Sequence, residues 1–210
     1  MYTSLAATSE TLRQFLQDGM ASDVGPSGLA SLFTAGSLVV SSRTPQEMIR
    51  RPEQGLSVWL YRVVRDEARL NDAPQVRPLP GGRVQVIPAP LPLRLHYLIT
   101  PLTDDNPDTE QRILGRVLQL LHSTPILVGA NLRGDLSGSD TEVHTRLEAL
   151  SLEEIARVWE ALEGSYQLSV SYEVSLARID SIAEPQHGAP VESGQINWAV
   201  QVGSLAAQEA

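Results

Sequence analysis

The sequence predicts an α+β domain: one mixed or antiparallel sheet of about four to five strands with helices packed on one face, plus an extended C-terminal arm. Residues 166–178, YQLSVSYEVSLAR, alternate apolar and polar positions without a break. Residues 91–127, LPLRLHYLITPLTDDNPDTEQRILGRVLQLLHSTPIL, keep a period of two to Thr100 and then one near 3.6. Along the chain the segments follow the order helix, strand, strand, strand, helix, strand, helix, strand. The expected division is residues 1–178 for the α+β domain and 179–210 for a linker and arm, with a strand at about 195–202.

Taking the elements in order, residues 4–19 read as a helix. Leu5, Leu12, Phe15 and Leu16 share one stripe, and Gly19 stands where a capping glycine would. Residues 21–37, rich in Gly, Ser and Pro, read as a loop. SLVVSSR at 37–43 is a short strand, and TPQEMIRR is a turn. LSVWLYRVVR at 56–65 carries β-branched and aromatic residues on both faces, as a central strand does. Residues 66–90 hold five prolines and a Gly-Gly pair, an excursion with room for a short strand at 83–87.

In the next strand Leu91, Leu93, Leu95, Tyr97 and Ile99 face one way, and Arg94, His96 and Thr100 the other. Asp104, Asp105 and Asn106 offer N-cap oxygens and Pro107 suits a first helical turn. The helix they open presents Ile113, Leu114, Val117, Leu118 and Leu121, and stops before Pro125. After a Gly-rich loop, Val143, Thr145, Leu147 and Ala149 alternate as a strand. Ser151 and Glu154 form a capping box for a helix carrying Leu152, Ile155, Val158, Trp159 and Leu162. In the last strand Leu168, Val170, Tyr172, Val174 and Leu176 face the core. Ser169, Ser171, Glu173 and Ser175 join Arg94 and His96 on a face left to water or to another subunit.

The totals narrow the function. With 210 residues and 42% hydrophobic content the chain builds a real core. It has no cysteine, so no disulfide, thiolate site or cysteine nucleophile. It has no lysine either, and its 16 basic residues are all arginine. A net charge of −9 with no arginine stripe argues against nucleic acid, whose affinity comes from cations displacing counterions. No apolar run approaches a bilayer span and the first residues lack a secretory pattern, so no membrane insertion and a cytoplasmic site of assembly are expected.

No motif nominates an active site. His96, His122, His144 and His187 have no short metal-ligand spacing. No G-x-S-x-G elbow supports a Ser–His–Asp reading, and PGGR at Pro80 lacks a phosphate-loop ending. The acidic pairs 104–105 and 153–154 are explained by helix capping. The expectation is a non-enzymatic protein with no metal, cofactor or catalytic residue.

In the tail, IDSIAEPQHGAPVESG reads as a linker. QINWAVQVG follows, with Ile196, Trp198, Val200 and Val202 on one face. It is a last strand folding back on the domain, a fragment left disordered, or an arm that adds a strand to a partner's sheet, anchored by Trp198.

Three stretches carry a resemblance. PLRLHYLITPLTDD, then DTEQRILGRVLQLLHSTPIL, then VWEALEGSYQLSVSYEVSLARID resemble the tail-terminator, or cap, proteins of phage-tail-like contractile injection systems. TSETLRQFLQ and LSVWLYRVVRDEARLN resemble that family's first helix and a strand, and W-x-A-L-x-G-x-Y-x-x-S-V-x-Y-x-V is matched from Trp159 to Val174. Each motif is hydrophobic and weakly specific. Their order and spacing over roughly residues 4–180 are more specific. The resemblance implies a six-fold ring that closes the distal end of inner tube and sheath, with tube and sheath proteins as partners. It also gives the polar sheet face an inter-subunit or tube contact, and Gln195 to Val202 the strand that the last sheath layer lacks. The alternative is an acidic adaptor that recruits a protein through its tail. A hydrolase is the weakest reading.

Overall fold

A 12-residue strand, Leu91–Leu102 (β5), is the axis on which the chain is built. The computed structural model describes residues 2–188 except 24, 26, 27, 70–72, 81, 82, 105 and 185, and gives the backbone alone at 176–178 and 186–188. The strand expected at 195–202 lies outside the described residues.

Before β5 come α1 (Ser4–Ala21), α2 (Leu29–Thr34), β1 (Val39–Ser41), α3 (Pro45–Arg50), β2 (Gly55–Arg65), β3 (Gln75–Pro78) and β4 (Val84–Ile87). After it come α4 (Pro107–Ser123), β6 (Ile126–Leu127), β7 (Val143–Leu147), α5 (Leu152–Ala161), β8 (Val170–Ile179) and β9 (Gln186–Gly188). The α+β class holds. The main sheet has six strands, in the order β1-β2-β5-β8-β7-β6, where about four to five were expected. Only β1 runs parallel to its neighbour, β2, and every other pairing in this sheet is antiparallel. The extra strands are short: β6 has two residues, too few to show a period.

The core lies on one side of this sheet. Leu93, Leu95, Tyr97 and Ile99 of β5 and Tyr172 and Val174 of β8 meet Leu12, Leu16 and Met20 of α1 and Ile113, Val117 and Leu121 of α4. Each buried aliphatic or aromatic side chain there contributes roughly 1.5–3 kcal/mol. Helix α1 runs past Gly19 to Ala21. Gly19 is a packing position, because a Cβ there would sit 2.4 Å from Leu120 Cδ1.

The sequence had all helices on one face. The structure puts α3 and α5 on the other. Trp159 of α5 is buried there and donates from Nε1 to Ser169 Oγ at 3.3 Å. Met48 of α3 is buried outside the main core, and Ser57 Oγ, on the outer side of β2, donates to the Arg43 carbonyl just before α3. The TPQEMIRR segment, expected as a turn, is helix α3. It is a single capped segment: Thr44 Oγ1 accepts from the Glu47 amide, and the Glu47 carboxylate accepts from the Thr44 amide.

One outward donor on the free edge of β1 is taken by a side chain. The amide of Val40 donates to Gln17 Oε1 of α1 at 3.0 Å.

A second unit holds residues 74–88 and the described tail from 183 onward. There β3, β4 and β9 form a three-stranded antiparallel sheet. The stretch expected as a linker contains a strand, β9, which pairs with the excursion's strand β4.

Candidate functional site

The outer side of β5 carries Arg94, His96, Leu98 and Thr100, alternating with its core residues. This side is not open to water. His96, Ser169, Ser171 and Glu173 are buried, while Arg94 and Ser175 are half-buried. The cover comes from α5, α3 and side chains that reach in from neighbouring strands.

Two carboxylates organise the polar groups. Glu148, just past β7, accepts from Ser171 Oγ at 2.6 Å and meets His96 Nδ1 at 2.9 Å. A carboxylate there only accepts, so Nδ1 carries the hydrogen. Tyr61 Oη lies 3.0 Å from Ser171 Oγ and donates to it, because the serine hydrogen is committed to Glu148. Glu173 of β8 accepts from Arg94 Nη1 at 3.3 Å and from Arg146 Nη2 at 3.2 Å. Arg94 Nε also faces Asp66 at 3.6 Å, within ion-pair range and beyond a hydrogen bond.

The local backbone explains the convergence. His96 and Glu173 are directly opposed across β5 and β8, and Arg146 and Glu173 across β7 and β8. A bulge in β2 between Leu60 and Arg62 gives Tyr61 an extra position and turns it toward β8. Its ring meets His96 edge-on at 6.2 Å. Burial pushes the Tyr61 hydroxyl above its ordinary pKa.

A serine, a histidine and a glutamate are thus gathered, but not as a nucleophile relay. In a relay the histidine takes the serine proton. Here Ser171 and His96 both direct their hydrogens at Glu148. With Glu173 in place of the serine, His96, Glu148 and Glu173 each bring one possible metal-donor atom within 4.8 Å of the others. A separate cleft of about 370 Å³ opens beside the start of α4. Its carboxylates are engaged within the fold: Glu53 by Arg43, Asp104 by Gln54 and Glu110 by Thr103.

Of the residues singled out from sequence, His96 and Ser171 meet on Glu148, Arg94 meets Glu173 beside them, and Ser169 lies apart under Trp159. Ser175 pairs through its backbone with Arg94 and His144. Ile196, Trp198, Val200 and Val202 lie outside the described residues. Missed were Asp66, Tyr61, Arg146 and Glu148. Arg146 was legible from alternation, since Val143 and Thr145 are buried and Arg146 falls on the opposite side. The Tyr61 position depends on a bulge, which leaves no mark in the pattern.

Residues 7–193 match the Pvc16 N-terminal domain family. The chain belongs to that family. Among solved structures, the Pvc16-family chain is similar to the anti-feeding prophage cap, described as a tube terminating cap. The two are 18% identical with a TM-score of 0.56, over 94% of this chain and 61% of that one. It is also similar to the sheath/tube terminator, in the extended state, of the extracellular contractile injection system PVC. That pair is 22% identical with a TM-score of 0.47, over 72% of this chain and 52% of that one. The chain therefore spans between half and about three-fifths of the length of these solved relatives. No curated protein matches it.

Proposed function

We propose that this chain is a structural terminator of a contractile injection system: a cap that ends the inner tube and the sheath. The observation that carries the reading is family membership over residues 7–193. The likeness of fold to the anti-feeding prophage cap supports it. A cap acts through binding surfaces, so no catalytic step is assigned. The partners are inner tube protein, sheath protein and further copies of the chain in a ring, six-fold by analogy with the terminator family. Assembly takes place in the cytoplasm, before the particle is released or attached.

In this reading the tail segment from Gln195 to Val202 supplies the strand that the last sheath layer lacks. Its alternation of Ile196, Trp198, Val200 and Val202 supports that role. On the outer sheet face, Arg94 and Ser175 are the expected residues with surface left to offer a neighbour.

Particles assembled without the chain should have tubes and sheaths of uncontrolled length under negative-stain microscopy. The purified chain should form rings. Removing residues 184–210 should leave rings that no longer retain sheath. Normal particle lengths in the absence of the chain would overturn the terminator reading. A truncate that retains sheath would overturn only the arm.

A further inference from the structure

The small second unit is a sheet without a helical cover. Its strands β3, β4 and β9 are antiparallel, and no helix belongs to it among the described residues. Val76 opposes Val86 and Pro78 opposes Val84, so these four share one face. Val76 is 60% exposed, Pro78 is exposed, and Val84 and Val86 are half-buried. Short strands in water gain stability from further strands and a buried face, and this face has room for both.

The two edges of this sheet differ. On one side β3 carries Arg77 and Pro78, and a charge and a proline blunt an edge. On the other side β9 has neither, and among the described residues it pairs with β4 alone. The chain leaves β9 at Gly188 and continues through residues 189–210. Residues 189–195 include Pro190 and Gly194, which suit a turn. Ile196, Trp198, Val200 and Val202 then alternate, in a segment of strand period that lies outside the described residues.

We infer that residues 196–202 pair antiparallel with β9 of their own chain and make the fourth strand of this sheet. The alternation selects the register: Ile196 opposite Gly188 and Trp198 opposite Gln186. Gly188 is itself opposite Val84, and Gln186 opposite Val86. The rows Pro78–Val84–Gly188–Ile196 and Val76–Val86–Gln186–Trp198 then carry the apolar residues on one face. A slip of one residue would move Ile196 and Trp198 to the face of Arg77 and Gln85. The inference goes beyond the terminator reading and does not rest on it. The segment assigned there to the sheath has a resting place on its own chain, from which an incoming sheath edge must displace it.

The chain has no cysteine, so an engineered pair reports the register without competition. In the full chain, His187→Cys with Asn197→Cys places two directly opposed thiols. Mild oxidation at low protein concentration should close a disulfide within one chain, seen on a non-reducing gel and by intact mass. His187→Cys with Ile196→Cys sets the thiols on opposite faces and should stay reduced. In the cysteine-free chain, Trp198→Asp should speed amide exchange in β4 and β9 roughly tenfold and leave β5 and β8 unchanged. A disulfide between two chains in the first variant would assign the segment to a second copy and overturn the inference. Equal crosslinking of the two pairs, no crosslinking of either, or exchange in β9 indifferent to Trp198→Asp would overturn it as well.

Discussion

Tyr97 Oη and Ser9 Oγ lie 2.7 Å apart, joining the central strand to the first helix across 88 positions of sequence. Tyr97 is fully buried, and burial pushes its hydroxyl pKa up to about 12, against the lowering effect of the Ser9 bond. The folded state holds this proton more tightly than an unfolded chain, where tyrosine titrates near ~10. Its contribution is therefore complete below pH ~10 and is lost as pH rises toward 12, by on the order of 2–3 kcal/mol. Urea midpoints at pH 8 and pH 11 should diverge more for the natural chain than for Tyr97→Phe. Equal divergence would refute the assignment.

Gly55 starts β2 with φ +134°, and a Cβ there would sit 2.1 Å from the Val39 carbonyl oxygen. Neither the torsion nor the contact tolerates a side chain, since the obstacle is backbone. Gly55→Ala should cost about 3 kcal/mol and loosen β1 from the sheet. Amide exchange would register this as lost protection at Val39 and Ser41, with β8 unaffected.

Trp159 is the one residue of α5 classed as buried. Trp159→Ala should cost about 3–5 kcal/mol and raise exchange along α5 before the α1 and α4 core responds. Trp159→Phe keeps most of the packing and loses the bond to Ser169, at about 1 kcal/mol. Simultaneous loss of both helical layers in Trp159→Ala would contradict a separate outer layer.

Thr44 closes the first turn of α3 from both directions with Glu47. Thr44→Ala should cost about 1 kcal/mol by chemical denaturation. Thr44→Ser keeps the hydroxyl and should restore most of it. A serine variant as weak as alanine would mean that the cap contributes nothing.

The strands that dominate the sheet were legible because one side of each is buried, and burial enforces a period of two. Leu93 to Ile99 on β5 and Val170 to Val174 on β8 are the clearest cases. The segments that went unread are short. Leu29–Thr34 and Pro45–Arg50 make fewer than two turns, and Ser, Gly and Pro nearby read as loop. The polar face was legible as a face but not as an interior. Ser169, Ser171 and Glu173 look like solvent-facing residues in one dimension. Their burial depends on Trp159 and Glu148, which arrive from a helix and a loop whose placement no periodicity encodes.

The Gln17–Val40 bond bears on how the molecule behaves in a crowd. A bare β-edge is a template, and any chain with a free ladder can extend it. Here a glutamine from the first helix occupies the one outward donor of a three-residue strand, which makes that border of the sheet a poorer template. Gln17→Leu would keep the packing and unmask the donor, and light scattering should then rise with protein concentration. For a protein proposed to end a polymer, this border applies the same rule at atomic scale: the ladder stops because its last rung is already taken.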